Sequence, residues 1–183
     1  MQFMDYISPN SPAYYLTSVA RDRLPIFRSD SLKAIACTAL DEARASGKFL
    51  ILAYVIMPDH LHVITDSKKK TAVVLRFING IISRRIIDHL KVHAYESSLK
   101  KLRRESSARG HEYSLWDHHT NVRLLTSEGM FMQRVHYTHQ NPVRLELAGR
   151  PEHYFYSSAR IWNRNPIDEE PLLVDIREIK WRG

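Results

Sequence analysis

FLILAYVIMPDHLHVIT, Phe49 to Thr65, is the stretch around which the rest of this chain can be arranged. Lys48 to Met57 is long and apolar and reads as a buried strand. Pro58-Asp59 is a turn signal. His60 to Thr65 is a second strand, so the two form a hairpin. Side chains alternate across a strand. His60 and His62 therefore share one face, and Leu61 and Val63 share the other.

Upstream, Tyr14 to Ala20 is rich in β-formers and reads as a strand. Asp30 or Ser31 can cap a helix running to about Ser46, with Gly47 as its stop. Downstream, Thr71 to about Leu90 carries Val74, Leu75, Ile78, Ile81, Ile82 and Ile86 near one helical face. His93 to Gly110 has no clear period and reads as a mobile loop or a poorly packed helix. A strand is expected at Val122 to Leu125. Ser127 caps a further helix, Glu128 to about Gln140, ended by Asn141-Pro142. The order β-α-β-β-α-β plus a helix is the α+β, ferredoxin-like split β-α-β arrangement. It predicts an antiparallel sheet with both core helices on one face and the other face, or an edge, left for a site. Residues 1–150 read as a single domain, and 151–183 as a tail that packs on it or extends it.

The chain has 183 residues, 44% of them hydrophobic, enough for a core in one domain. Its single cysteine, Cys37, excludes an internal disulfide and Cys-rich zinc sites. The longest apolar run, Phe49 to Met57, is far too short to span a bilayer. No charged start followed by an apolar leader is visible, and a soluble cytoplasmic protein is expected. The net charge is +7, but it is unevenly spread. Ser67 to Arg109 holds 12 Lys or Arg against three acids, while the remaining chain is slightly acidic. Such a concentration is the footprint of a polyanion partner, or else a solvated basic face. Lys68, Lys69, Lys70, Arg76, Arg84, Arg85, Arg103 and Arg104 are its candidate nucleic-acid contacts.

His60 and His62, two residues apart on one strand face, can ligate one divalent ion such as Zn²⁺ or Mn²⁺. Mg²⁺ prefers oxygen, so an oxygen ligand and waters would help. Two histidines are too few for a closed structural site, and ordinary surface or core histidines fit the same pattern. On the last helix, Phe131, Met132 and Val135 cluster on one side, with Arg134, Tyr137 and Asn141 roughly opposite. Tyr137 and Asn141 are one turn apart. Such a tyrosine can serve as a nucleophile with the Asn141 amide oxygen as a further ligand, or it can be a half-exposed tyrosine near a helix end. His118, His119, His136 and His139 are weaker ligand candidates. Trp116, Trp162 and Tyr154 to Tyr156 can stack on bases or anchor the tail. No Gly-rich phosphate loop, Gly-x-Ser-x-Gly elbow or Cys–His pairing is present.

Taken together, these pieces resemble a known family. Tyr54-Val55-Ile56-Met57-Pro58-Asp59-His60-Leu61-His62-Val63-Ile64 resembles the His, bulky apolar, His (HUH) motif of single-tyrosine transposases. Tyr137-Thr138-His139-Gln140-Asn141-Pro142-Val143-Arg144 resembles their tyrosine helix. The Asn141-Pro142-Val143-Arg144 ending, followed by Arg150-Pro151-Glu152-His153-Tyr154 and Ser157-Ser158, is most similar to the REP-associated tyrosine transposases, and Tyr15-Leu16-Thr17 and Leu24-Pro25-Ile26-Phe27 resemble that family's opening strand and loop. Two stretches depart from the usual pattern: Ser106 to Asp117 lacks the common Gly-Phe-rich form, and Leu145-Glu146-Leu147-Ala148 replaces a more usual Ala-Gly-Leu.

The resemblance implies a metal-dependent nuclease and strand transferase acting on single-stranded DNA with hairpins. It implies Tyr137 as nucleophile forming a 5′-phosphotyrosine. Mg²⁺ or Mn²⁺ would be held by His60, His62 and Asn141, with Arg134 and the basic segment contacting DNA. Monomer and homodimer both fit. Two other classes remain open on the residues alone: a non-catalytic single-stranded nucleic-acid module and a small phosphoester hydrolase.

Overall fold

The computed structural model describes residues 5–104, 112–117 and 120–181. Arg109 of the basic segment and the candidate ligands His118 and His119 lie outside the described residues. The expected hairpin forms from β2 (Ile51–Ile56) and β3 (His60–Asp66). β1 (Ala13–Val19) pairs antiparallel with β3, and β4 (Asn121–Leu125) pairs antiparallel with β1. The sheet order β2-β3-β1-β4 is that of the split β-α-β unit, with β3 inserted between β1 and β2.

α1 (Asp30–Gly47) and α2 (Thr71–Val92) cover one sheet face. Leu61 and Val63 pack there with Leu40, Ala43, Val74, Ile78, Ile82 and Ile86. Ser29 caps α1, accepting a hydrogen bond from the Leu32 amide, one residue earlier than the expected cap. Lys48, not Gly47, takes the left-handed position that ends it. Gly47 has a packing reason instead: a Cβ there would stand 2.6 Å from the Phe49 ring and 2.9 Å from that of Phe77. Within His93 to Gly110 a short α3 (Glu96–Leu102) forms because Leu99 and Leu102 reach the core.

The other sheet face is covered by α4 (Glu128–Arg144), capped by Ser127 as expected. Phe131 and Val135 pack on Ala13, Ile64 and Leu125. Met132 is exposed and does not join them. The helix does not end at Asn141-Pro142 but runs through the proline to Arg144. Pro142 has no N–H for the Thr138 carbonyl. The Asn141 side chain compensates: Nδ2 donates to the Tyr137 carbonyl at 2.8 Å and to the Thr138 carbonyl at 3.5 Å.

Beyond Gly149 the chain follows the free edge of β2. The Ile56 amide donates to the Tyr156 carbonyl, Ser157 bridges to Val55, and the Ser158 amide donates to the Tyr54 carbonyl. An open strand edge is thereby satisfied. Trp162 Nε1 donates to the Leu52 carbonyl, and Tyr154 Oη to that of Ile56, so these aromatics are spent on the fold. α5 (Ala159–Trp162) carries Arg160, whose guanidinium binds Glu170 through two hydrogen bonds at 2.8 and 2.6 Å. The same group donates to the carbonyls of Glu152, Tyr154 and Phe155. Among the described residues no helix is long and apolar enough to cross a membrane.

Both partners of the Arg160–Glu170 pair are almost fully buried. Breaking such a pair strands a charge. Glu170→Ala should lower unfolding stability by about 3–5 kcal/mol in urea titration. A loss under about 1 kcal/mol would mean the pair behaves as an exposed one.

Candidate active site

The sheet face under α4 changes character along its length. Near β4's end it is apolar, with Ala13, Ile64 and Leu125. Toward the other end the inward positions are Tyr15 and Thr17 of β1 and His60 and His62 of β3. Thr17 lies opposite His62, and Tyr15 opposite Ile64. Tyr15 Oη and Thr17 Oγ1 lie 2.8 and 2.9 Å from His62 Nδ1. Either oxygen can accept a proton from Nδ1, the tautomer that leaves Nε2 with its lone pair. The Nδ1–H of His60 donates to Asp59 Oδ1 at 2.5 Å. Arg23 holds the other Asp59 oxygen at 3.0 Å. Each imidazole thus has its Nδ1 occupied by an orienting partner, the usual arrangement behind a ligating histidine.

The two rings stand edge to face with centroids 4.9 Å apart. Burial, with the adjacent His60 adding to it, pushes His62 down to about 3, and the Asn141 side chain opposes this by hydrogen bonding. His62 is therefore a neutral imidazole at physiological pH. Tyr15 stacks on His62 with centroids 5.3 Å apart. Burial raises its phenol to about 12.

α4 brings a second stripe over this end of the sheet. Tyr137 sits edge-on to His62 at 5.9 Å and to Tyr15 at 6.4 Å. It is half-buried, whereas Asn141 is buried. The face carrying Tyr137 and Asn141 is therefore turned to the sheet and not away from the core. Arg134 lies over the rings of both Tyr15 and Tyr137, at 5.3 and 5.4 Å. Because carbonyls only accept, Asn141 must point Nδ2 at the helix backbone, and Oδ1 is left for the site.

His60, His62, Tyr137, Asn141 and Arg134, chosen from separate stretches, thus meet on one face. Other candidates do not join them. His139 is buried on another side of α4, with Nε2 at 2.9 Å from Ser158 Oγ. Lys68, Lys69 and Lys70 lead into α2 on the opposite sheet face. Arg76 lies over Phe77. Arg84 and Arg85 bind Glu42, and Arg103 binds Glu112. Arg104 lines a groove of about 690 Å³ between α2 and residues 112–116, where Trp116 Nε1 donates to the Asn79 carbonyl. Among the described residues no three His, Cys, Asp or Glu form a metal-holding group.

Sequence reading missed the orienting residues. Asp59 was adjacent to His60 but read only as a turn. Tyr15 and Thr17 alternate on β1 with the right spacing, but they lie 47 and 45 residues from His62. Only the strand register joins them.

No protein-family model matches this chain. No curated protein matches it either. Among solved structures, a REP-associated tyrosine transposase bound to a REP hairpin is similar over 93% of this chain and 89% of that one, with TM-score 0.58 and 17% identity. The two share a fold, as the sequence resemblance anticipated. A crystal structure of a protein from Deinococcus radiodurans R1, assigned as a transposase, covers 69% of this chain and 88% of that one at 19% identity. Its TM-score is 0.45, too loose a likeness to build on.

His62 and His139 stay neutral in the fold down to about pH 3 and 4, because burial disfavours their charged forms. An unfolded histidine protonates near pH 6.5. Between these values the unfolded chain binds more protons, so stability falls as pH drops below about 6.5. Each histidine contributes up to about 1.4 kcal/mol per pH unit. Urea titrations from pH 7.5 to 5 should show this slope, and His62→Gln should remove about half of the histidine share. Equal slopes in both proteins would contradict it.

Proposed function

We propose that this chain is a metal-dependent, single-stranded DNA transposase or endonuclease that cleaves and rejoins strands near hairpins through Tyr137. The observation that carries the reading is the convergence of Tyr137, His60, His62 and Asn141 on one sheet face. The shared fold with a REP-associated tyrosine transposase supports it. That protein was seen with a REP hairpin, which favours hairpin DNA as partner here.

The donor set fits a divalent cation. His62 is neutral, both imidazoles have Nδ1 engaged, and the buried Asn141 side chain, its Nδ2 spent on the helix backbone, reaches His62. His60, His62 and Asn141 would hold Mg²⁺ or Mn²⁺ with positions left open, and the ion would polarise the scissile phosphate as a Lewis acid. Asp59 fixes the His60 ring through Nδ1, and Tyr15 and Thr17 fix that of His62.

Tyr137 is the nucleophile in this reading. Tyr15 is a poor rival, since its buried phenol is pushed up to about 12 and its oxygen is committed to His62. The Tyr137 oxygen gives its proton to solvent and bonds to phosphorus as the bond from phosphorus to the leaving 3′-oxygen breaks, and that oxygen takes a proton from solvent in turn. The products are a 5′-phosphotyrosine and a free 3′-OH. Attack on the phosphotyrosine by another 3′-OH joins strands and restores the phenol, with no external energy source. The basic residues on the α2 side would hold flanking DNA by salt-dependent contacts.

Labelled single-stranded DNA carrying a hairpin, incubated with the protein and Mg²⁺ or Mn²⁺, should yield an SDS-resistant protein–DNA adduct. Tyr137→Phe and EDTA should each abolish it. DNA binding without an adduct would favour a binding module. Turnover of small phosphate esters that survives Tyr137→Phe would favour a hydrolase.

A further inference from the structure

We propose that Arg134 and Arg144 form a two-guanidinium seat for a phosphodiester anion beside Tyr137. Arg134, Tyr137, Asn141 and Arg144 recur along α4 at intervals of three, four and three residues, so all four share one stripe. The Arg144 guanidinium carbon lies 4.7 Å from the centre of the Tyr137 ring, and that of Arg134 lies 5.4 Å from it. Helical side chains lean toward the helix N-terminus. That lean carries the long Arg144 side chain back from the last turn to the tyrosine.

A cation on a tyrosine face needs no ligand, being worth about 0.5–1 kcal/mol at an exposed site. An arginine in a last turn also complements the helix dipole. Neither effect explains two like charges gathered on one ring. A third, Arg123, sits opposite Tyr15 in β4 and acts on the Tyr15 phenol together with Arg134. Among the described residues neither Arg134 nor Arg144 is joined to a carboxylate. Asp59, the carboxylate beside the histidines, is taken by His60 and Arg23. Among the described residues no ion pair therefore offsets the positive charge at Tyr137. Guanidinium forks match phosphate oxygens in pairs. A diester phosphate placed there would have its anionic oxygens held beside the Tyr137 ring. That this phosphate is the one cleaved rests on the function proposed above; the seat itself does not.

The test uses the full chain with ¹³C-labelled tyrosine rings, in EDTA, with dimethyl phosphate as probe. The Tyr137 resonance, assigned by its loss in Tyr137→Phe, should shift saturably. Uncharged trimethyl phosphate should not move it. Arg134→Gln and Arg144→Gln should each weaken binding about 10-fold or more, as loss of charged hydrogen bonds implies. Arg→Lys at either position should fall between, and Arg150→Gln should match the unaltered protein. A Tyr137 signal that ignores dimethyl phosphate, or undiminished binding by Arg144→Gln, overturns the seat. Adduct formation at an unchanged rate in both Gln variants overturns the seat's part in cleavage, while leaving strand cleavage by Tyr137 standing. Arginine-dependent binding in a protein that forms no adduct keeps the seat and removes the cleavage reading.

Discussion

The site depends on the register between β1 and β3. Thr17 faces His62 across the ladder, and Tyr15 comes alongside from two residues away. A one-residue slip would turn every inward side chain outward. Leu61 and Val63 would then face α4, and both histidines would be driven into the apolar layer beneath α1 and α2. The register is held because those two residues, with Leu16, have their own core to fill on the helix side. One sheet thus separates two demands: an apolar face that fixes the pairing, and a mixed face whose chemistry follows from it.

α4 makes the second half of that arrangement. Its Phe131 and Val135 anchor it over the apolar end of the sheet. This leaves the stripe from Arg134 to Arg144 suspended over the polar end. The C-terminal residues support the frame from the far edge. Backbone bonding to Tyr54 and Ile56 ties them to β2, the strand that delivers the turn to His60, and the buried Arg160–Glu170 pair braces them among themselves. The largest concentration of basic residues lies elsewhere, on the α2 side, with several of its arginines tied to Glu42 and Glu112. Net charge along the sequence therefore says less about the site than the few arginines that α4 and β4 place near it.

Local chemistry made much of this legible. Alternation in β3 put His60 and His62 on one face, and a helical turn put Asn141 beside Tyr137. The hairpin, both long helices and the order of elements follow from apolar period, turn residues and caps. What was not legible depended on partners distant in sequence. The roles of Tyr15 and Thr17 emerge only when β1 is laid against β3. Arg144 gains meaning only because α4 continues past Pro142. The proline read as a stop, since it removes a donor, and the side chain that would replace that donor could not be recognised in advance. α3 was obscure for a similar reason: Leu99 and Leu102 are too few to print a period, but enough to dock two turns.

Pro142 and Asn141 then have to be regarded as a single device. An amide side chain is ambiguous by nature, since its two ends are nearly the same size and either can swing toward a neighbour. Here the proline leaves the Thr138 carbonyl without a backbone donor, and carbonyls can be satisfied by only one end of the amide. The choice is thereby removed, and an oxygen acquires a direction from a hydrogen that is missing one residue away. The proline, inert in every chemical sense, acts as the rudder of the group beside it.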